Sequence, residues 1–215
     1  MKKNMTLILG LVVLAASGGL CADATTSPPP DGVILEFRPS YFYPISSDFR
    51  EIFQDGGVNY QLTGTCPVYW GQNAWVRGID VWAGVDYFLK DGRSVGLGDK
   101  TSVQIVPITL GLKYFFPSLG KTAPVNFYAA SGMKYYFVHT HNHSDYVKKT
   151  VNENGMGGVV EAGFITTIVD HLVLDLFASY SFKSFGAPSI SNSEVEATGM
   201  NISGVNVGAG IGYKF

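Results

Sequence analysis

The chain has 215 residues, of which 15% are charged, and its formal net charge is −2; an average soluble domain carries about 25% charged residues. Aromatic residues make up 13% of it and glycine fills 26 positions, yet mean hydropathy is only slightly positive. A helical membrane protein would be far more apolar, a disordered chain would have few aromatics, and a nucleic-acid binder would be basic, so all three classes are excluded.

The first residues read as a secretory signal peptide. Lys2 and Lys3 form a basic start, Met5 to Leu20 is an uncharged apolar stretch, and Ala22-Asp23-Ala24 is a small-x-small cleavage pattern, with a cut after Ala24 favoured over one after Ala22. Cys21 follows Leu20, where a lipoprotein signal would place a small residue. Cleavage would leave Cys66 as the only cysteine, which excludes an internal disulfide. The division expected is a signal peptide over 1–24, a stiff linker over 25–31 containing Pro28-Pro29-Pro30, and a single domain over 32–215.

From Val33 onward the dominant period is two. Alternation predicts strands over Val33–Tyr43, Asn59–Trp70, Trp75–Leu89, Ser102–Phe116, Val125–Val138, Met156–Ile168, Leu172–Phe182 and Ser203–Phe215. One parity of each is apolar, as in Val106, Ile108, Leu110 and Leu112. The other parity holds Glu36, Arg38, Asp80, Asp86, Lys113, Lys134, Glu161, Asp175, Lys183 and Lys214, whereas the apolar parity holds only Arg77. A soluble sandwich needs no such strictness. A lipid-facing surface does, because a charge at the bilayer midplane costs about 2–4 kcal/mol. Arg77, near a strand start, would sit at the headgroup boundary.

The connections alternate in length. Short links at Gly71–Ala74, Pro117–Pro124 and Val169–His171 alternate with long ones at Pro44–Val58, Lys90–Thr101, His139–Gly155 and Ser184–Ile202. The fold class expected is therefore all-β: a closed, antiparallel, eight-stranded transmembrane β-barrel with short periplasmic turns and four long extracellular loops. Closure is required because an open sheet edge in lipid leaves backbone groups unsatisfied. Tyr43, Trp70, Trp75, Tyr87, Tyr114, Phe116, Tyr135, Phe137, Tyr213 and Phe215 fall near strand ends, where interfacial aromatic girdles belong.

In the last strand Val207, Ala209, Ile211, Tyr213 and Phe215 alternate and end on a terminal Phe. This resembles the C-terminal signal by which bacterial barrels are handed to the barrel-assembly machinery, with Ile211, Tyr213 and Phe215 as its residues. The Gly208-x-Gly210-x-Gly212-Tyr213 run is similar to the last strand of small outer-membrane barrels of the OmpA, OmpX and OmpW type. Those glycines suit a crowded lumen. The resemblance implies an outer-membrane location in a Gram-negative-type bacterium, contact with outer-membrane lipids and lipopolysaccharide, and, for the OmpW type, a narrow channel for ions or small apolar solutes.

An eight-stranded barrel is just wide enough for side chains to fill it. Counted from strand ends, Glu36, Arg38, Asp80, Lys113, Asp175 and Lys214 form a lower group and Asp86, Lys134, Glu161 and Lys183 an upper one, each of mixed sign. The lumen is therefore expected to be plugged by internal ion pairs, since a buried charge without a partner is very costly. His139, His141 and His143 form an H-x-H-x-H run that, if the fifth strand continues, points to one side with metal-site-like spacing. The plainer reading is loop histidines meeting water and lipopolysaccharide phosphates. His143-Ser144 and Glu161 invite comparison with lipid A deacylases, but Ser144 directly follows His143 and Glu161 has inward parity. Ser46–Phe53 is the one helical signal: Asp48 and Glu51 form a capping-box pattern and Phe49, Ile52 and Phe53 share a face, to pack on the barrel rim or to cover the mouth. No catalytic set, metal site or cofactor is expected, nor a nucleic-acid partner. The expected role is structural or surface-interacting, with the surface partner unnamed; a narrow channel comes second and a lipid-modifying enzyme third.

Overall fold

The computed structural model describes residues 32–68, 79–94, 98–116, 125–143, 149–169, 171–185 and 200–215. The expected signal peptide and linker lie outside the described residues, as do Trp70, Trp75, Arg77, Ser144 and the links at Gly71–Ala74 and Pro117–Pro124.

Eight strands form the wall: β1 (Ile34–Pro44), β2 (Gly57–Pro67), β3 (Ile79–Arg93), β4 (Lys100–Phe115), β5 (Val125–Asn142), β6 (Thr150–Val169), β7 (Leu172–Phe182) and β8 (Gly204–Lys214). Each pairs antiparallel with its neighbours in sequence, and β8 pairs with β1 to close the barrel. Among the described residues no helix is long and apolar enough to cross a membrane; strands paired on both sides satisfy the backbone instead. Side chains alternate in and out as the period of two requires. Phe37, Tyr41, Tyr60, Leu110, Leu112, Met133, Val160 and Ile211 stand exposed on the outer wall, while Glu36, Arg38, Gln61, Thr63, Thr109 and Lys113 are buried inside.

The wall is strongly sheared. From Ile34, register partners run through Thr65, Trp82, Gly111, Gly132, Val159, Ser181 and Gly204 back to β1 at Pro44. One circuit therefore climbs 10 residues, from 34 to 44, and fixes the strand tilt.

The wall is also uneven in height. β1, β2, β7 and β8 have 11 residues each, close to the 9–11 that cross a bilayer. β3, β4, β5 and β6 have 15, 16, 18 and 20. Because β8 joins β1, the four short strands are contiguous, and so are the four tall ones. This accounts for most differences in the strand limits. β5 runs to Asn142 instead of Val138, β6 begins at Thr150 instead of Met156, and β3 reaches Arg93 instead of Leu89. There the outward residues turn polar, so the apolar alternation stops while backbone pairing continues.

The helix α1 (Ser47–Phe53) follows β1. Its N-cap is Ser46, whose side chain accepts a hydrogen bond from the Phe49 N–H. The expected Asp48–Glu51 capping box is not formed: Asp48 lies in the first turn, where its charge suits the helix dipole. The helix does not pack on the outer rim. Phe49 and Phe53 are 0% and 1% exposed and join a cluster with the inward-facing Phe42, Phe88, Val103, Ile105, Tyr136 and Val138. Phe49 meets Phe42 edge-on at 6.1 Å and Phe53 at 4.8 Å between centroids. A Cβ on Gly92 would stand 2.7 Å from Phe53 Cδ1, so β3 leaves room for that ring. The two phenyl groups thus occupy the inside of the barrel mouth.

A seven-residue helix is too short to hold itself together, so the phenyl contacts must hold α1. Replacing Phe49 and Phe53 together by alanine, each worth about 3–5 kcal/mol when buried, is expected to release α1. Limited proteolysis of the folded protein should then cut between 46 and 56 in the variant while the native segment stays intact.

Candidate functional site

The interior of the barrel carries the unusual chemistry. Glu36, Arg38, Asp80, Asp86, Lys113, Lys134, Glu161 and Asp175 are all buried there. Lys183 and Lys214, assigned to the same parity, are half-buried near opposite ends of the wall. The Lys183 ammonium lies 4.5 Å from the centre of the Phe185 ring.

Arg38 of β1 is the hub. Its Nη2 meets Glu161 Oε1 of β6 at 2.7 Å, and its Nε lies 3.1 Å from Asp175 Oδ2 of β7. The guanidinium carbon lies 3.6 Å from the centre of the Phe177 ring, a stacking that arginine's planar group favours. The Tyr128 hydroxyl of β5 accepts from Arg38 Nη2 at 3.3 Å. It stands 3.0 Å from both Asp175 oxygens and 3.2 Å from Glu161 Oε1, within donating reach of either acid. Lys113 of β4 lies 3.8 Å from Glu36 Oε2 and 4.3 Å from the centre of the Tyr128 ring. One network thus links β1, β4, β5, β6 and β7 across the interior.

Toward the long-loop end a second pair follows. Lys134 Nζ of β5 meets Asp86 Oδ2 of β3 at 2.6 Å. A cavity of about 30 Å³ adjoins it, with Asn59, Ser181, Asn206 and Pro107 on its walls and Phe42, Phe88, Ile105, Tyr136 and Ile202 around it. Such a space has room for one or two waters.

Glu161 therefore belongs with Arg38, not with the upper group to which counting from strand ends assigned it. The shear explains the difference: the register partners of Lys113 run through Ala130 to Glu161, so the lower part of β4 is in register with the middle of β6.

Tyr128 has inward parity in the sequence but no feature that marks it as the partner of two acids. The available signal lies on the neighbouring strand: Tyr128 faces Gly163, where a Cβ would stand 2.7 Å from its hydroxyl oxygen. The same complementarity runs along the β1–β8 seam. Cβ atoms on Gly208, Gly210 and Gly212 would each come within 2.6 Å of the side chains of Ser40, Arg38 and Glu36 respectively. The small residues of β8 make the space that the long residues of β1 fill.

The other sequence candidates lie on the outer wall. Ile211, Tyr213 and Phe215 are exposed on one face, with the Phe215 N–H bonded to the Val33 carbonyl at 2.9 Å. His139 and His141 belong to β5 itself, not to a loop, and His143 follows directly. Among the described residues no three His, Cys, Asp or Glu side chains come together as a metal site. Glu161, weighed as an acid for lipid chemistry, is engaged inside the barrel by Arg38 and Tyr128.

These features define the class: the protein is a small eight-stranded β-barrel of the outer-membrane type. No protein-family model and no curated protein matches the chain. Solved structures do match in fold. A major outer membrane protein from Thermus thermophilus superposes with a TM-score of 0.59 at 18% identity, covering 86% of this chain and 100% of that one. Neisserial surface protein A gives 0.58 at 14%, covering 86% and 97%. The outer membrane protein OprG from Pseudomonas aeruginosa gives 0.57 at 15%, covering 86% and 96%.

Removing one partner of a buried charged pair typically costs about 3–5 kcal/mol, so Arg38→Ala, which strands Glu161 and Asp175 together, is expected to lower stability by at least that range. Gly210→Val, which forces a side chain onto Arg38, is expected to lose about 1–3 kcal/mol by overpacking. Urea unfolding of the refolded barrel in lipid vesicles measures both; unchanged midpoints would exclude the network as a stabilising element.

Proposed function

We propose that this protein is an integral outer-membrane scaffold whose lumen is closed and whose role is structural or surface-interacting, exerted through the loops at its long-loop end. The observation that carries this reading is Arg38. It is 0% exposed and holds acids from β6 and β7 together with the Tyr128 hydroxyl of β5, the strand opposite β1 in the closed order. An ion passing along the axis would have to separate these charges in a medium of low dielectric, where each is stabilised only by its partners. The aromatic cluster around Phe49 and Phe53 adds an apolar barrier at the mouth.

In this reading the chain is exported with its signal peptide cleaved, and lies in the outer membrane of a Gram-negative-type bacterium. The exposed apolar wall meets outer-membrane lipid and lipopolysaccharide, and Ile211, Tyr213 and Phe215 are read by the barrel-assembly machinery. No chemistry is assigned to the interior, because Glu161, Asp175 and Asp86 are bound to cations or to Tyr128 and the cavity beside Asp86 is water-sized. Deletion of the gene is accordingly expected to leave the mass spectrum of lipid A unchanged.

Planar-bilayer recording tests the closed lumen. The purified native protein is expected to give no steady conductance at neutral pH in moderate salt. Steady single-channel steps would replace this reading with that of a narrow channel for ions or small solutes.

A further inference from the structure

Three imidazoles follow one another up the outer face of β5. Tyr135 and Phe137 point outward while Tyr136 and Val138 are buried, and His139 and His141 continue the outward parity. The His143 N–H donates to the Lys100 carbonyl at 3.0 Å, so pairing with β4 extends past the end of the strand and keeps the third imidazole on the same side. The rings of His141 and His143 lie 4.8 Å apart between centroids, at 88°.

Neighbouring side chains of β6 orient these rings. His139 Nδ1 is hydrogen-bonded to Asn152 Oδ1, and His141 Nδ1 lies 3.4 Å from Thr150 Oγ1. With Nδ1–H donated to the Asn152 amide oxygen, the His139 Nε2 lone pair is available to a ligand. Nδ1 contacts of this kind are how metal-binding histidines are held in tautomer and orientation.

We infer that His141 and His143 form a surface chelate for an imidazole-preferring transition-metal ion, Cu(II) or Zn(II), on the part of the wall that rises above the apolar band. Two imidazoles two residues apart on one strand face converge on a common point, and metal–nitrogen bonds of about 2.0–2.1 Å bridge two such rings. Water completes the coordination. His139, one step further down the strand, flanks the site.

The surroundings decide which ions are accepted. Alternation places Lys100 of β4 and Arg93 of β3 on the same outward side, exposed at the level of His143, while Asp91 stands across Ser102 from His141. The cationic side chains oppose any ion held by charge alone. Hard cations that need carboxylate cages, Ca²⁺ and Mg²⁺, are excluded, and only ions that form strong bonds to imidazole nitrogen remain.

The test is titration of the full-length protein in detergent micelles, near neutral pH, with CuCl₂, ZnCl₂ and CaCl₂ separately. Calorimetry reads affinity and electron paramagnetic resonance reads nitrogen coordination of Cu(II). One Cu(II) per chain with two-imidazole character is expected, and no heat from Ca²⁺. His141→Gln/His143→Gln should weaken Cu(II) binding by more than about tenfold and abolish the two-nitrogen signature. His171→Gln, whose imidazole bonds the Lys214 carbonyl at the other end of the barrel, should bind as the native protein does. Circular dichroism checks that each variant keeps its β-signal, and His143→Gln alone, just past the strand, serves if the double variant does not fold. Absent binding by the native protein, undiminished binding by the His141/His143 variants, equal loss in His171→Gln, or comparable binding of Ca²⁺ would overturn the assignment.

Discussion

In hydrocarbon every backbone N–H and C=O must find a partner within the protein, and the rest of this structure follows from that. Unpaired groups cost several kcal/mol each, so the sheet cannot have an edge and β8 must return to β1. Closing only eight strands leaves an interior about as wide as two opposing side chains. A space so narrow must be filled, and because the outer face takes the apolar residues, the inner face receives the polar ones. Polar residues buried at that density must in turn satisfy one another. The Arg38 network is thus a consequence of closure as much as a feature of its own.

The climb of 10 residues per circuit determines which side chains can meet. Neighbours in the wall are found along the hydrogen-bond direction, but partners in the lumen are found across it, between strands far apart in sequence. Arg38 and Glu161 are 123 positions apart and Lys134 and Asp86 48 apart. This makes the ion pairs long-range staples between strands that are not neighbours in the wall. It also explains why glycines gather on the inward side of β8. Arg38, Glu36 and Ser40 lean over that strand on their way to the centre, and a Cβ would obstruct each.

Much of this was legible in the residues. The period of two, the absence of charge from one parity and the closure into eight strands follow from alternation alone, and β7 has the expected limits at Leu172 and Phe182. Where limits differ, alternation had lost its apolar half: the outward positions His139 and His141 on β5 and Thr150, Asn152 and Asn154 on β6 are polar, while the ladder between β5 and β6 continues. Pairings were not legible, because they depend on shear, which no single strand encodes. The level of Glu161 and the role of Tyr128 escape the sequence for that reason. The helix is marked by its apolar spacing, but the sequence pattern places its cap two residues late. Ser46 and Asp48 are both good cap residues, and the end of β1 at Pro44 selects the first.

The unequal strand heights have a consequence for approach from outside. β3 to β6 exceed the four short strands by 4 to 9 residues, a difference on the order of 10–20 Å once tilt is allowed for. The barrel is therefore cut obliquely, like a quill. Among the described residues, the crests of β3–β4 and β5–β6 would meet a flat surface such as another cell before α1 does. Among the described residues the strands thus form a palisade on one flank only, with α1 following the end of β1 on the lower one.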